Sequence, residues 1–210
     1  KNHLKLFNPP FLEIGSKIYQ EYNQYCLRSI LEYDEIDYIG IDIKAGENVD
    51  FVCDFSQKGI VDDLNWREKY NTIHCHCVLE HVADTRSFLE EQLTLLDDSG
   101  IIVAEVPCVN DPLTSLYKSS EFEKFYWSIA HHYYFSPRSI SYILDSIKCQ
   151  YTLVPEQRYD LSNHLRWLET GKPGGQGYYS DVFSAETIES YRSDLIDKQK
   201  NDTMFLYIWK

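Results

Sequence analysis

The chain has 210 residues, 43% of them hydrophobic and 15% aromatic, enough for one domain with a sizeable core, or one domain carrying an insertion. A net charge of −13, with 20 scattered lysines and arginines, argues against a nucleic-acid partner, which needs a basic stripe to neutralise phosphates. No apolar run approaches the roughly 20 residues of a membrane span, and no signal-peptide pattern opens the chain. The expectation is therefore a cytoplasmic protein with no nucleic-acid or membrane partner. The six cysteines form no CxxC pair and read as reduced and mostly buried.

Residues 10–15 (PFLEIG) read as a short buried strand. Residues 19–33 have helical spacing, with Tyr22, Cys26, Ile30 and Tyr33 on one face. Residues 37–43 (DYIGIDI) and 49–53 (VDFVC) read as the second and third strands, 60–64 as a helical turn or two, and 71–78 (NTIHCHCV) as the fourth strand. An amphipathic helix follows over 84–96, with Asp84 as its N-cap. "DDSG" (97–100) reads as the turn that ends it, and 101–107 (IIVAEVP) as a fifth strand.

Residues 112–130 are aromatic-rich and helical in part. Residues 135–147 form a helix, with Ser136 as cap and Pro137 at its first position. Two final strands are expected at 151–158 and 204–209, with an insertion (159–202) between them. That insertion is most loop-like at "GKPGGQG" and reads as a disordered loop or a substrate lid. The alternation predicts a single α/β domain over 1–210. Its sheet has about seven strands, parallel except for the last, with helices on both faces. Such sheets bind ligands beyond the carboxyl ends of their strands.

The candidate site residues fall at those ends. Glu13 and Gly15, ahead of a helix start, suit a ligand with both an ammonium and a carboxylate. The loop lacks G-x-G-x-x-G, which disfavours NAD and FAD. Asp42 lies 27 positions after Gly15, near the spacing at which an acid in such folds accepts both ribose hydroxyls. Asp54 beside Phe55 suits an adenine, whose amine donates and whose face stacks. In "HCHC", His74 and His76 share one strand face and Cys75 and Cys77 the other, so the four cannot meet at one zinc and no metal site is assigned; His132 and His164 leave open a divalent ion that would acidify an acceptor hydroxyl.

From the fourth strand onward, the segment "LEHV" (Leu79, Glu80, His81, Val82), the turn Asp98-Ser99-Gly100 and the strand ending Glu105-Val106-Pro107 resemble the class I S-adenosylmethionine-dependent methyltransferases. "HHYYFSPRSISYILDSI" resembles the segment after the fifth strand in members acting on small molecules and glycans, and "NHLRWLETGKPGGQG" a tail of bacterial members found among polysaccharide genes. The resemblance covers about residues 10–150. It implies a Rossmann-like fold and S-adenosyl-L-methionine as cofactor. Glu13, Gly15 and Ser16 would hold the methionine end, Asp42 and Ile43 would flank the ribose, and Asp54 and Phe55 would bind the adenine. Cys75, His76 and Cys77 would lie near the transferred methyl. Where the family usually has G-x-G-x-G, this chain has G-S-K-I-Y.

Methyl transfer needs in-line placement of a nucleophile and removal of its proton. His81 is the first candidate base, then His131 and His132; the other reading of His81 is a helix cap. Arg158, Asn163, Arg166, Trp167 and Tyr133 suit a phosphorylated or sugar-like small-molecule acceptor, or else belong to a solvated loop. The expected function is O-methylation of a sugar, nucleotide-sugar or phosphorylated intermediate of bacterial surface-polysaccharide (capsule) synthesis, by a chain that could form a homodimer. The alternatives are a non-catalytic scaffold that keeps the fold and an NAD-linked or nucleotide-sugar enzyme.

Overall fold

The computed structural model describes residues 7–17, 27, 37–63 and 65–210. The expected helix over 19–33 lies outside the described residues except for Leu27, which is helical and buried.

Seven strands form one sheet: β1 (Phe11–Ile14), β2 (Tyr38–Asp42), β3 (Phe51–Val52), β4 (Tyr70–His76), β5 (Leu96–Pro107), β6 (Gln150–Glu156) and β7 (Thr203–Trp209). Their order is β3-β2-β1-β4-β5-β7-β6. The pairs from β3 through β5 are parallel, and β7 runs antiparallel to both neighbours, β5 and β6. The sheet is therefore parallel except for its last strand in sequence, as the alternation predicts. Strand order reverses at β1/β4, and a doubly wound sheet opens its ligand crevice there, at the carboxyl ends.

Helices α1 (Ile60–Asp63), α2 (Thr85–Leu95), α3 (Pro112–Ser115), α4 (Ser120–Tyr126) and α5 (Pro137–Ile147) lie between strands, with a 3-10 turn at Leu79–His81. The caps form as the residue types dictate. Asp84 accepts the Ser87 N–H at 3.0 Å, and Ser136 forms a reciprocal capping box with Ser139. The expected turn over 97–100 is corrected. β5 already begins at Leu96, and the register steps from Tyr70 opposite Leu96 to Thr72 opposite Ile101. Residues 97–100 are thus a bulge within the strand edge, tightened by Asp97, whose Oδ1 accepts the Ser99 N–H at 3.2 Å.

The two sheet faces differ in chemistry. One carries Leu12, Ile14, Ile41, Ile73, Cys75, Ile102, Ala104, Val106, Leu206 and Ile208, which pack with Phe88, Leu89, Ile140 and Leu144 of α2 and α5 into the main core. The other carries Phe11, Tyr38, Ile101, Val103 and Tyr207 in smaller clusters. Among the clusters of this second face sit four buried or half-buried polar side chains, Glu13, His74, His76 and Glu105. Buried charge persists only where it is paired, and these four are paired with one another and with their neighbours.

The insertion is ordered, which sets aside the disordered-loop reading. It contains α6 (Leu161–Thr170) and α7 (Ala185–Asp197), capped by Asp160 and Ser184. Trp167 is 4% exposed and packs edge-on to Phe122, ring centres 5.0 Å apart, in a second core with Leu113 and Tyr126. Asp202 ties the two ends of the insertion together, accepting the Arg158 and Tyr159 N–H groups at 2.9 Å each and the Gln157 side chain at 2.6 Å. No helix among the described residues is long and apolar enough to cross a membrane.

Burial and the neighbouring Asp202 push the Asp111 carboxyl up to about 7. An unfolded Asp titrates near 3.9. Below that value both states hold the proton and the stabilisation is fully present; it is lost as pH rises through about 7. Asp111 also caps α3, its Oδ1 accepting the Leu113 N–H at 2.7 Å, which an asparagine oxygen can do equally well. Asp111→Asn is therefore expected to raise Tm by about 3 °C or more at pH 8, with the gain shrinking toward pH 4. Thermal melts at both pH values check this; a gain confined to acid pH contradicts it.

Candidate functional site

The carboxyl ends of β1 and β2 make one interlocked turn. Gly15 leaves β1 at φ +77°, a conformation that costs glycine little. A Cβ there would meet Val78 Cγ2 at 2.6 Å, so the turn lies directly against the segment after β4. The Gly15 and Ser16 N–H groups both donate to the Ile41 carbonyl, at 2.8 and 3.0 Å. Asp42, half-buried at the tip of β2, accepts the Lys17 N–H at 3.2 Å and the Lys44 N–H at 3.0 Å. Ser16 is 2% exposed, and its Oγ has no hydrogen-bond partner among the described residues.

Glu13 is a buried junction. Its carboxylate accepts the Leu27 N–H at 3.0 Å, meets His74 Nδ1 at 3.1 Å and accepts the Tyr38 hydroxyl. Burial raises its pKa, yet the His74 hydrogen bond and charge, with Tyr38 and Leu27, hold it below the usual carboxylate range. It anchors the turn from beneath. At the tip of β3, Asp54 accepts the Ser56 hydroxyl at 2.6 Å and its N–H at 3.1 Å, and the hydroxyl bond outweighs desolvation and lowers its pKa. Ile43 is exposed beside Asp42. Phe55 is turned into the core: it is 3% exposed and edge-on to Phe88 and Trp66, so its ring offers no open face for stacking.

Beyond β4 the chain turns sharply, with Cys77 at φ +50°. That ends the strand alternation one residue before Cys77. Cys75 is fully buried on the apolar face, its thiol 3.8 Å from Gln92 Oε1, away from the tip. Cys77 lies at the tip, its sulfur 3.8 Å from His76 Nε2. Burial and then Glu80 push its thiol up to about 12, so it remains protonated. His76 Nδ1 meets Glu105 Oε2 at 2.8 Å, and Glu105 is also ion-paired to Arg158. Burial, then Arg158 and His74, push the His76 imidazole down to about 3, so it stays neutral. The His74–Cys77 stretch is thus committed to internal partners.

The next turn carries the remaining candidates. Glu80 is 2% exposed, and burial pushes its carboxyl up to about 7. Its carbonyl accepts the His132 N–H at 2.7 Å and the Tyr133 N–H at 3.2 Å, which brings a segment 50 residues away onto the end of β4. His81 and His131 pack edge-to-face with ring centres 4.6 Å apart. The Tyr133 hydroxyl donates to the Ala83 carbonyl at 2.9 Å.

The expected acceptor residues divide. Arg158 reaches the β4/β5 tips. Trp167 belongs to the second core, and Asn163 is buried beneath Gly175. Arg166 lies outward on α6, its guanidinium 4.6 Å from the centre of the Tyr178 ring. Glu80 and Glu105 were not among the site candidates. The available signal was two glutamates embedded in apolar stretches, where an unpaired charge is costly.

The turn after β1, the acids at the β2 and β3 tips and the buried, unpartnered Ser16 hydroxyl fit a nucleoside cofactor with an amino-acid tail. Comparison with known proteins agrees. A family profile described as "Methyltransferase domain" matches residues 16–154. A SAM-dependent methyltransferase from Archaeoglobus fulgidus is 17% identical, with 95% of this chain and 85% of that one aligned at a TM-score of 0.58. The plantazolicin methyltransferase BamL, solved with a triazolic desmethylPZN analog and SAH, is 14% identical over 95% of this chain and 76% of that one, at 0.56. YcgJ from Bacillus subtilis is 14% identical over 95% and 91%, at 0.53. These likenesses are of fold. No curated protein matches the sequence. The profile spans well over half of the chain, which therefore belongs to the methyltransferase domain family and is an S-adenosylmethionine-dependent methyltransferase.

Proposed function

We propose that the chain methylates an oxygen of a small polar acceptor: a sugar, a nucleotide-sugar or a phosphorylated intermediate of bacterial surface-polysaccharide synthesis. The observation that carries this reading is Arg158. The segment leaving β6, just ahead of the insertion, brings its guanidinium to Glu105, beside Cys77 and Glu80, where an acceptor would meet the cofactor. A guanidinium suits a phosphate or a sugar hydroxyl.

S-adenosylmethionine, when bound, supplies an already activated methyl group on a sulfonium. Gly15 and Ser16 would hold its amino-acid end, with Glu13 fixing the turn from below. Asp42 would accept the ribose hydroxyls, with Ile43 beside it, and Asp54 the adenine amine. Cys77 and Val78 would close the crevice under the reacting groups. The His81–His131 pair, with His132 beside it, would take charge of the acceptor proton. The two-helix insertion would act as the lid, with Arg166 and Tyr178 on its outer wall.

The test is incubation with methyl-labelled S-adenosylmethionine and separate pools of sugars, nucleotide-sugars, phosphosugars and peptides. Label in a sugar-containing product, released by ether cleavage, is expected. Label only in peptide, or on nitrogen, overturns the acceptor assignment.

A further inference from the structure

We propose that Glu80, His81 and His131 form a binding site for a single divalent transition-metal ion at the end of β4. One ligand atom from each residue, a carboxylate oxygen and two imidazole nitrogens, lies within 4.8 Å of the others. That spacing is what a small cation needs to draw three donors onto itself with minor side-chain adjustment.

Two of the donors are otherwise unexplained. Glu80 is 98% buried by exposed area, and its Oε2 has no hydrogen-bond partner among the described residues. His131 Nδ1 is likewise buried without a partner. Glu80 Oε2 and His131 Nδ1 are thus each left without a partner, and a buried polar atom is costly unless something joins it.

The third donor is oriented as a ligand would be. His81 Nδ1 donates to the Ala130 carbonyl at 2.9 Å, which fixes the tautomer and leaves the Nε2 lone pair free. Metal-bound histidines characteristically give their other N–H to a carbonyl or carboxylate in this way. The two segments are held in place by backbone bonds, since the His132 and Tyr133 N–H groups donate to the Glu80 carbonyl.

A carboxylate with two imidazoles suits zinc, manganese, iron or cobalt and disfavours calcium, which takes oxygen ligands. Three protein donors leave a position for an outside oxygen. A cation there would lower the pKa of a coordinated acceptor hydroxyl. That catalytic use rests on the methyl-transfer reading, and with metal bound the cation takes over from His81 and His131 the activation of the acceptor hydroxyl; the binding of metal does not rest on it. The histidines of the His74–Cys77 stretch take no part, since they pair with Glu13 and Glu105, while Cys77 lies against Glu80.

The experiment is titration of tag-free, metal-stripped protein with cobalt(II) chloride, followed by visible d–d absorption, and with zinc chloride by calorimetry. One equivalent of either ion is expected to bind. Glu80→Gln and His131→Asn are each expected to weaken binding by at least about 100-fold, while His132→Asn binds as the wild type does. His131 lies in a partly exposed loop, so its variant decides the matter if Glu80→Gln does not fold. Failure of the wild type to bind, wild-type binding by His131→Asn, or loss of binding by His132→Asn overturns the assignment. S-adenosylhomocysteine titrated into the same metal-free samples keeps the two claims separate: nucleoside binding without metal binding defeats only the metal site.

Discussion

Glu105→Ala is expected to lower Tm by about 10 °C, the largest fall of any single change considered. Glu105 is 4% exposed on β5, and its carboxylate joins His76 of β4 to Arg158, just ahead of the insertion. Removing one partner of a buried ion pair costs about 3–5 kcal/mol, because the remaining charge is left poorly compensated. At roughly 2–4 °C per kcal/mol for a chain of this size, the fall follows. Glu105→Gln keeps an oxygen acceptor for one partner and is expected to lose about half as much. Methyl transfer should fall in both variants, since Arg158 loses its anchor. Differential scanning calorimetry of the three proteins reads the effect. A change of under about 2 °C for the alanine variant would mean that the triad is not a stabilising junction.

Asp42→Ala should weaken S-adenosylhomocysteine binding by about 100-fold while leaving Tm nearly unchanged. Two hydrogen bonds from a ribose to a carboxylate are worth about 1.5 kcal/mol or more each, and about 2.7 kcal/mol is a factor of 100 in Kd. The fold has little to lose there, because Asp42 is half-exposed and its partners are loop N–H groups that water can satisfy. Asp42→Asn keeps one acceptor and should fall between the two. Unchanged affinity in the alanine variant would remove Asp42 from the cofactor site, and a collapse in Tm would show that its role is structural.

The strands and capped helices were legible because their signals are local. Ser136, Pro137 and the apolar spacing behind them define α5 without outside help, and Asp84 does the same for α2. The strand-tip acids were legible because chain order places Gly15, Asp42 and Asp54 on successive tips. What was hidden is non-local or depends on where the alternation stops. β3 is two residues long, too short for parity to say that Phe55 faces the core. Cys77 leaves the strand at a left-handed φ, so counting faces fails there. Glu105 and Arg158 are 53 positions apart, and they meet because the chain leaving β6 crosses past β7 to the β5 tip. Glu80 and His131 are joined by a loop that returns from beyond β5, which no periodicity predicts.

Calorimetric titration of the intact chain with S-adenosylhomocysteine, beside a parallel titration with NAD, is the decisive measurement for the crevice at the β1/β4 switch point. One binding equivalent for the first ligand and no heat for the second is the predicted result. No heat with S-adenosylhomocysteine, or saturable binding of NAD in its place, would contradict it.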